Sequence, residues 1–98
     1  MEGVDEADTV EAIVRAVPGV ADLHAGMYGE VGTYLPGRRV AGIRVGDRAV
    51  EVHITAHADR PVRETAAAVR AAIAAQWPER SIDVTVEGVV LPPLGDQE

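Results

Sequence analysis

Two histidines, His53 and His57, stand four positions apart in a segment that also carries Glu51. On a helix that spacing would put both imidazoles on one face, where they can grip a single metal ion. Here, however, every second residue is apolar: Val50, Val52, Ile54 and Ala56. That is the period of a strand. A strand rises about 3.3 Å per residue, so the two rings share a face about 13 Å apart and cannot share an ion. His24 falls in a different segment, and no Cys is present to supply a thiolate ligand or a disulfide. The residues predict no metal and no cofactor.

Carboxylate chemistry is no better provided for. Glu51, Asp83 and Glu87 fall on the polar side of alternating segments. A general acid or base needs a desolvated pocket to bring its pKa toward neutrality, and an open sheet face does not supply one. Ser81 is the only serine and lies outside any G-x-S-x-G pattern. No catalytic residue is predicted, and the chain reads as a non-enzyme. The G-x-x-G runs at Gly26–Gly29 and Gly29–Gly32 resemble phosphate-clamping loops. They do not sit between two helices, and they contain Glu30 with no base before Arg38. Walker and dinucleotide patterns are absent.

What remains suits contact with another protein. Tyr28 and Tyr34, beside Met27, either fold back over the sheet or present aromatic anchors. Arg38 and Arg39 either stay solvated or dock an acidic partner, including another copy's N-terminus. With Glu51, His53 and His57 on the polar face of the central strand, these seven residues are the candidate partner contacts. Histidine titrates near neutrality, so His53 and His57 beside Glu51 would make such contact pH-sensitive.

Composition narrows the field further. Ninety-eight residues make one domain. The formal charge is −7. Five acids and no base fall in the first eleven residues, so the remainder is close to balanced. A nucleic-acid backbone calls for a positive stripe, which is missing, so DNA is excluded as a partner and RNA disfavoured. The start, Met1 to Glu6, lacks the apolar run of a signal peptide, and no stretch approaches the length of a membrane span. Membrane association is expected only through a partner, in a protein of the cytoplasm.

These side chains need a frame. Residues 1–7 read as an acidic flexible lead, residues 8–90 as a single α/β domain, and residues 91–98 as a Pro-containing acidic tail. Asp8 and Glu11 have capping-box spacing and place a helix start near Asp8. Val10, Ile13, Val14 and Val17 form its buried stripe, and Pro18-Gly19 stops it. Gly19–His24 reads as a strand. Ala25–Arg39 reads as a long loop with a little extended structure around Val31–Leu35. Val40–Val45 reads as one strand with Ala41, Ile43 and Val45 inward, and Ala49–Ala58 as its hairpin partner. A second helix starts near Asp59 with Pro61 in its first turn, and buries Val62, Ala66, Val69, Ile73 and Trp77. Ile82, Val84 and Val86 alternate in a last strand. One-sided alternation implies a sheet covered on one face. The expectation is an α+β two-layer sandwich of order α-β-β-β-α-β. Two helices lie on one face of a mostly antiparallel sheet of three or four strands, and the last two strands are parallel through their helical crossover.

From Val17 to Val90 the chain resembles the alkaline shock protein family of bacterial envelope-stress proteins, as a small actinobacterial-type member. The residues that carry the resemblance are Val17-Pro18-Gly19-Val20-Ala21-Asp22-Leu23, Gly37-Arg38-Arg39-Val40-Ala41-Gly42-Ile43-Arg44-Val45, Val50-Glu51-Val52-His53-Ile54, the stretch from Pro61 to Arg70, and Ile82 to Val89. The resemblance implies a non-enzymatic adaptor or assembly protein of cell-envelope stress or homeostasis. Its partner would be a protein, either itself or a related family member, and an anchor protein would hold it at the membrane. The alternative, from the residues alone, is a ligand- or RNA-binding module using the Gly-rich loop 25–39 with Arg38 and Arg39.

Overall fold

The computed structural model describes residues 5–92. The first helix, α1 (Glu6–Arg15), begins two residues before the expected Asp8. Asp5 is its cap: the Asp5 carboxylate accepts from the Ala7 N–H at 2.9 Å, satisfying one of the free donors of the first turn. Asp8 is thereby released for another role. Its carboxylate accepts two hydrogen bonds from the Arg38 guanidinium, both 2.7 Å. Glu6 takes a similar forked pair from Arg80 at 3.0 and 3.2 Å. Asp5, Glu6 and Ala7 therefore belong to the fold rather than to a lead, and Arg38 is engaged within its own chain. Met1–Val4 and Pro93–Glu98, where the rest of the expected lead and most of the tail fall, lie outside the described residues.

Five strands follow before the next helix: β1 (Val20–Leu23), β2 (Gly32–Leu35), β3 (Arg38–Ala41), β4 (Ile43–Val45) and β5 (Ala49–His57). Then come α2 (Val62–Gln76) and β6 (Ser81–Val90). The expected order had three strands there. One cause is that the extended structure expected around Val31–Leu35 within Ala25–Arg39 is a full strand. That strand, β2, pairs with β3 as an antiparallel hairpin across Pro36-Gly37, forming a small second sheet. Gly37 takes φ +75°, which that tight turn requires and a side chain resists.

The other cause is Gly42, which splits Val40–Val45 into two strands. It has φ +82°. A Cβ there would stand 2.9 Å from the His53 carbonyl oxygen and 3.0 Å from the His24 N and O atoms. Three backbone segments meet at this point, and only glycine fits. The break also shifts the inward phase: Val40 and Ile43 are buried, while Ala41 is only half-buried.

In the main sheet β5 is central. Along one edge it pairs antiparallel with β4 (Ile43↔Val52, Val45↔Val50) and then with β1 (Leu23↔Ile54, Val20↔Ala56). Along the other it pairs parallel with β6, from Ala49↔Ser81 to His57↔Val90. The α+β architecture, with two helices on a mostly antiparallel sheet, is as the residue pattern predicts. Val50, Val52 and Ile54 turn inward and pack with Ala7, Val10 and Val14 of α1 and Val69 and Ile73 of α2. These side chains are removed from water, which is the main source of stability. On α2 the inward stripe takes in Thr65, which is buried, and leaves Val62, Ala66 and Trp77 half-exposed.

Candidate functional site

The outer side of β5 carries Glu51, His53, Thr55 and His57. His53 is the organising residue. Its Nε2 lies 2.7 Å from Glu51 Oε2, and its Nδ1 lies 2.6 Å from Glu87 Oε2. Only 12% of the His53 side chain is exposed, against 36% for Glu51 and 20% for Glu87. The expected open histidine is thus half-sealed by carboxylates. His57, by contrast, is exposed.

Strand pairing brings Glu87 within reach. His53 stands opposite Thr85, so Glu87 is two residues further along β6. Between Ile54 and Thr55 the register jumps from Val86 to Gly88, leaving Glu87 as the extra residue of a bulge. Bulges re-aim side chains, and this one coincides with the close approach of Glu87 to the His53 ring. Asp83 stays exposed and makes no such contact.

Arg44 extends the cluster. On β4, opposite Glu51, its guanidinium lies 3.3 Å from Glu51 Oε1 and donates to the Glu30 carbonyl at 2.7 Å. A chain of polar contacts therefore runs from β6 through β5 and β4 to the loop before β2.

Burial lowers the proton affinity of His53, but the hydrogen bonds to Glu87 and Glu51 outweigh it, and the net shift is upward. Glu51 is held below the usual glutamate range, chiefly by its hydrogen bond to His53. The two carboxylates occupy opposite ring nitrogens, which point apart, so no single ion can replace both protons. Among the described residues no three His, Asp or Glu side chains are placed to hold a metal.

The loop and hairpin form a second region. Met27, Tyr28 and Tyr34 are 77%, 87% and 78% exposed. The tyrosines therefore face solvent rather than folding back. Arg39 ties them together: it stacks on the Tyr34 ring at 5.2 Å and donates to the Gly29 and Val31 carbonyls. Of the seven expected contact residues, Glu51 and His53 come together, Tyr34 and Arg39 come together, Tyr28 stands nearby in the loop, and Arg38 and His57 lie elsewhere. Glu87, Arg44 and Glu30 complete the polar cluster. Glu87 was assigned by alternation to the right face, but its contact with His53 depends on register and bulge.

A third feature is the free edge of β6. Among the described residues its only strand partner is β5. The Ser81 N–H donates to the Arg48 carbonyl beside β5, so by alternation the N–H groups of Ile82, Val84 and Val86 point away from the sheet. Arg70 reaches the Ile82 carbonyl at 3.4 Å. Val89, Val90 and Leu91, at the end of the strand, are exposed. No helix among the described residues is long and apolar enough to cross a membrane. No family model, no curated protein and no solved structure matches the chain.

Proposed function

We propose that the protein is a non-enzymatic assembly protein that works through contacts with a second copy of its own chain, paired along the free edge of β6. The observation that carries this reading is that edge: N–H groups on Ile82, Val84 and Val86 that point away from the sheet with no strand beside them among the described residues, followed by exposed Val89, Val90 and Leu91. An open edge is a template for another strand. From Ser81 to Pro92 there is no basic side chain; Glu87 is drawn to the His53 ring, and Asp83 is exposed. The edge thus offers main-chain donors and acceptors, which are complementary to those of a second copy, between the exposed side chains of Asp83 and Thr85. The bulge at Glu87 limits regular pairing to Ser81–Val86. Tyr28 and Tyr34 supply a separate exposed aromatic surface.

What supports a role in cell-envelope stress or homeostasis is the sequence resemblance to the alkaline shock family, which on this proposal also implies a cytoplasmic protein with an anchor protein supplying any link to the membrane. No observation favours the ligand- or RNA-binding alternative, because Arg38 and Arg39, its cations, are both engaged within the fold. Light scattering tests the proposal. Wild type forms dimers or larger species in the micromolar range, and Val84→Pro, which removes an outward N–H while leaving the β5 ladder intact, shifts them to monomer. A wild-type chain that is monomeric throughout, or assemblies indifferent to Val84→Pro, would refute pairing through this edge.

A further inference from the structure

An ionised carboxylate can only accept hydrogen bonds, and a neutral imidazole has only one N–H to give. His53 meets a carboxylate oxygen at each ring nitrogen, at 2.6 and 2.7 Å. Two such contacts require two ring protons. With one, a nitrogen lone pair would face a carboxylate oxygen at hydrogen-bond distance, and one contact must open. Because the ring is largely shielded, water cannot readily take the missing proton's place.

We infer that His53 is a proton-operated clamp: as an imidazolium it fastens the β6 bulge through Glu87 to β5, and on losing a proton it releases Glu87 and loosens β6 from the bulge to Val90. The charged groups around it come from every neighbouring element. Glu51 shares its strand, Glu87 comes from β6, Arg44 comes from β4 and binds Glu51, and Glu30 approaches from the loop. Where β1 ends, the His24 N–H donates to the His53 carbonyl, and the His24 ring accepts from the Gly26 N–H instead of joining the cluster. The direction follows from sign. A histidine whose proton affinity is raised by folding contributes stability in full below its unfolded pKa of about 6.5, and that contribution is lost as pH rises through the higher folded value. The clamp is therefore closed in mild acid and opens on the alkaline side. The loosened segment includes Val89 and Val90, next to the stretch proposed for self-pairing, so the inference deepens that reading. The clamp itself belongs to the single chain.

Nuclear magnetic resonance on the isotope-labelled full chain, dilute enough to be monomeric, separates the two. Long-range proton–nitrogen spectra should report two protonated nitrogens on His53 at about pH 6, with one proton lost only above the ordinary histidine midpoint. Over that same interval, amide protection from Glu87 to Val90, corrected for the intrinsic pH dependence of exchange, should fall roughly tenfold or more, the scale of one lost charged hydrogen bond. Val50 and Val52 should not change. Glu87→Gln should lower the His53 midpoint and abolish the coupled change in β6. If that variant does not fold, the wild-type titration decides alone. A singly protonated His53 at about pH 6, or β6 protection that is flat across the His53 titration, would overturn the clamp. Neither result depends on whether two chains pair.

Discussion

β5 and β6 share one alternating pattern and differ in where the fold puts them. Each alternates apolar and polar residues, and they run parallel in register over most of their length. Yet Val50, Val52, Ile54 and Ala56 of β5 are fully buried, whereas on β6 only Ile82 is buried, Val84 and Val86 are partly covered, and Val89 and Val90 are exposed. Among the described residues β5 has partners on both edges, and β6 has one. Alternation sets which way a side chain points, but how much water it loses depends on its neighbours. The strand with incomplete neighbours is the one left with something to offer another molecule.

The contrast can be broken by substitution. Ile54→Ala on β5 should give the largest loss, about 2–5 kcal/mol in denaturant unfolding, because Ile54 is fully buried within the core cluster and its truncation leaves a cavity there. Gly42→Ala should follow at about 1–3 kcal/mol. It forces a side chain into φ +82° against the backbone of β5, on the edge that β4 and β1 close. Val86→Ala on β6 should cost only about 1 kcal/mol, since the side chain is already partly wet. A Val86→Ala loss as large as that of Ile54→Ala would erase the distinction between the strands.

Two smaller effects sharpen it. Wild-type stability should decline as pH rises above the ordinary histidine range, as His53 deprotonates. The contribution of Glu51, whose pKa is lowered, is instead present above about 4.5 and is lost as pH falls through its folded value. Unfolding midpoints across that range should fall at both ends, and His53→Gln should flatten the alkaline side and weaken the acid side, because the His53 hydrogen bond is the main cause of the Glu51 shift. The smallest effect belongs to Arg38→Ala, far from both strands. Its exposed pair with Asp8 should give a difference detectable at low salt and erased at high salt. A salt-independent loss would show that this pair does more than tether the hairpin to α1.

The legible parts of the molecule were those with a long, unbroken period. β5 declared itself because Val50, Val52, Ile54 and Ala56 alternate without interruption. The core residues Val10 and Val14 of α1, and Val17 just past its end, declared themselves because they keep helical spacing. The β2–β3 hairpin did not, because each strand is four residues long and framed by glycines that also suit loops. The Pro36-Gly37 pair was the available sign. Gly42 was invisible as a break because a glycine between Ala41 and Ile43 reads equally well as a strand residue until three backbones are seen to converge on it. At the candidate site, alternation placed Glu51, His53 and Glu87 on one face. It could not join them, because the contact between His53 and Glu87 spans 34 positions and depends on the parallel register and its bulge.

Hydrogen exchange on β6, followed as the chain is concentrated, tests the account at its centre. The N–H groups of Asp83 and Thr85 face β5 and should be protected at every concentration. Those of Val84 and Val86 face outward and should exchange freely when dilute, then gain protection as chains associate. If Val84 and Val86 stay unprotected while the protein demonstrably oligomerises, the free edge of β6 is not the surface it uses.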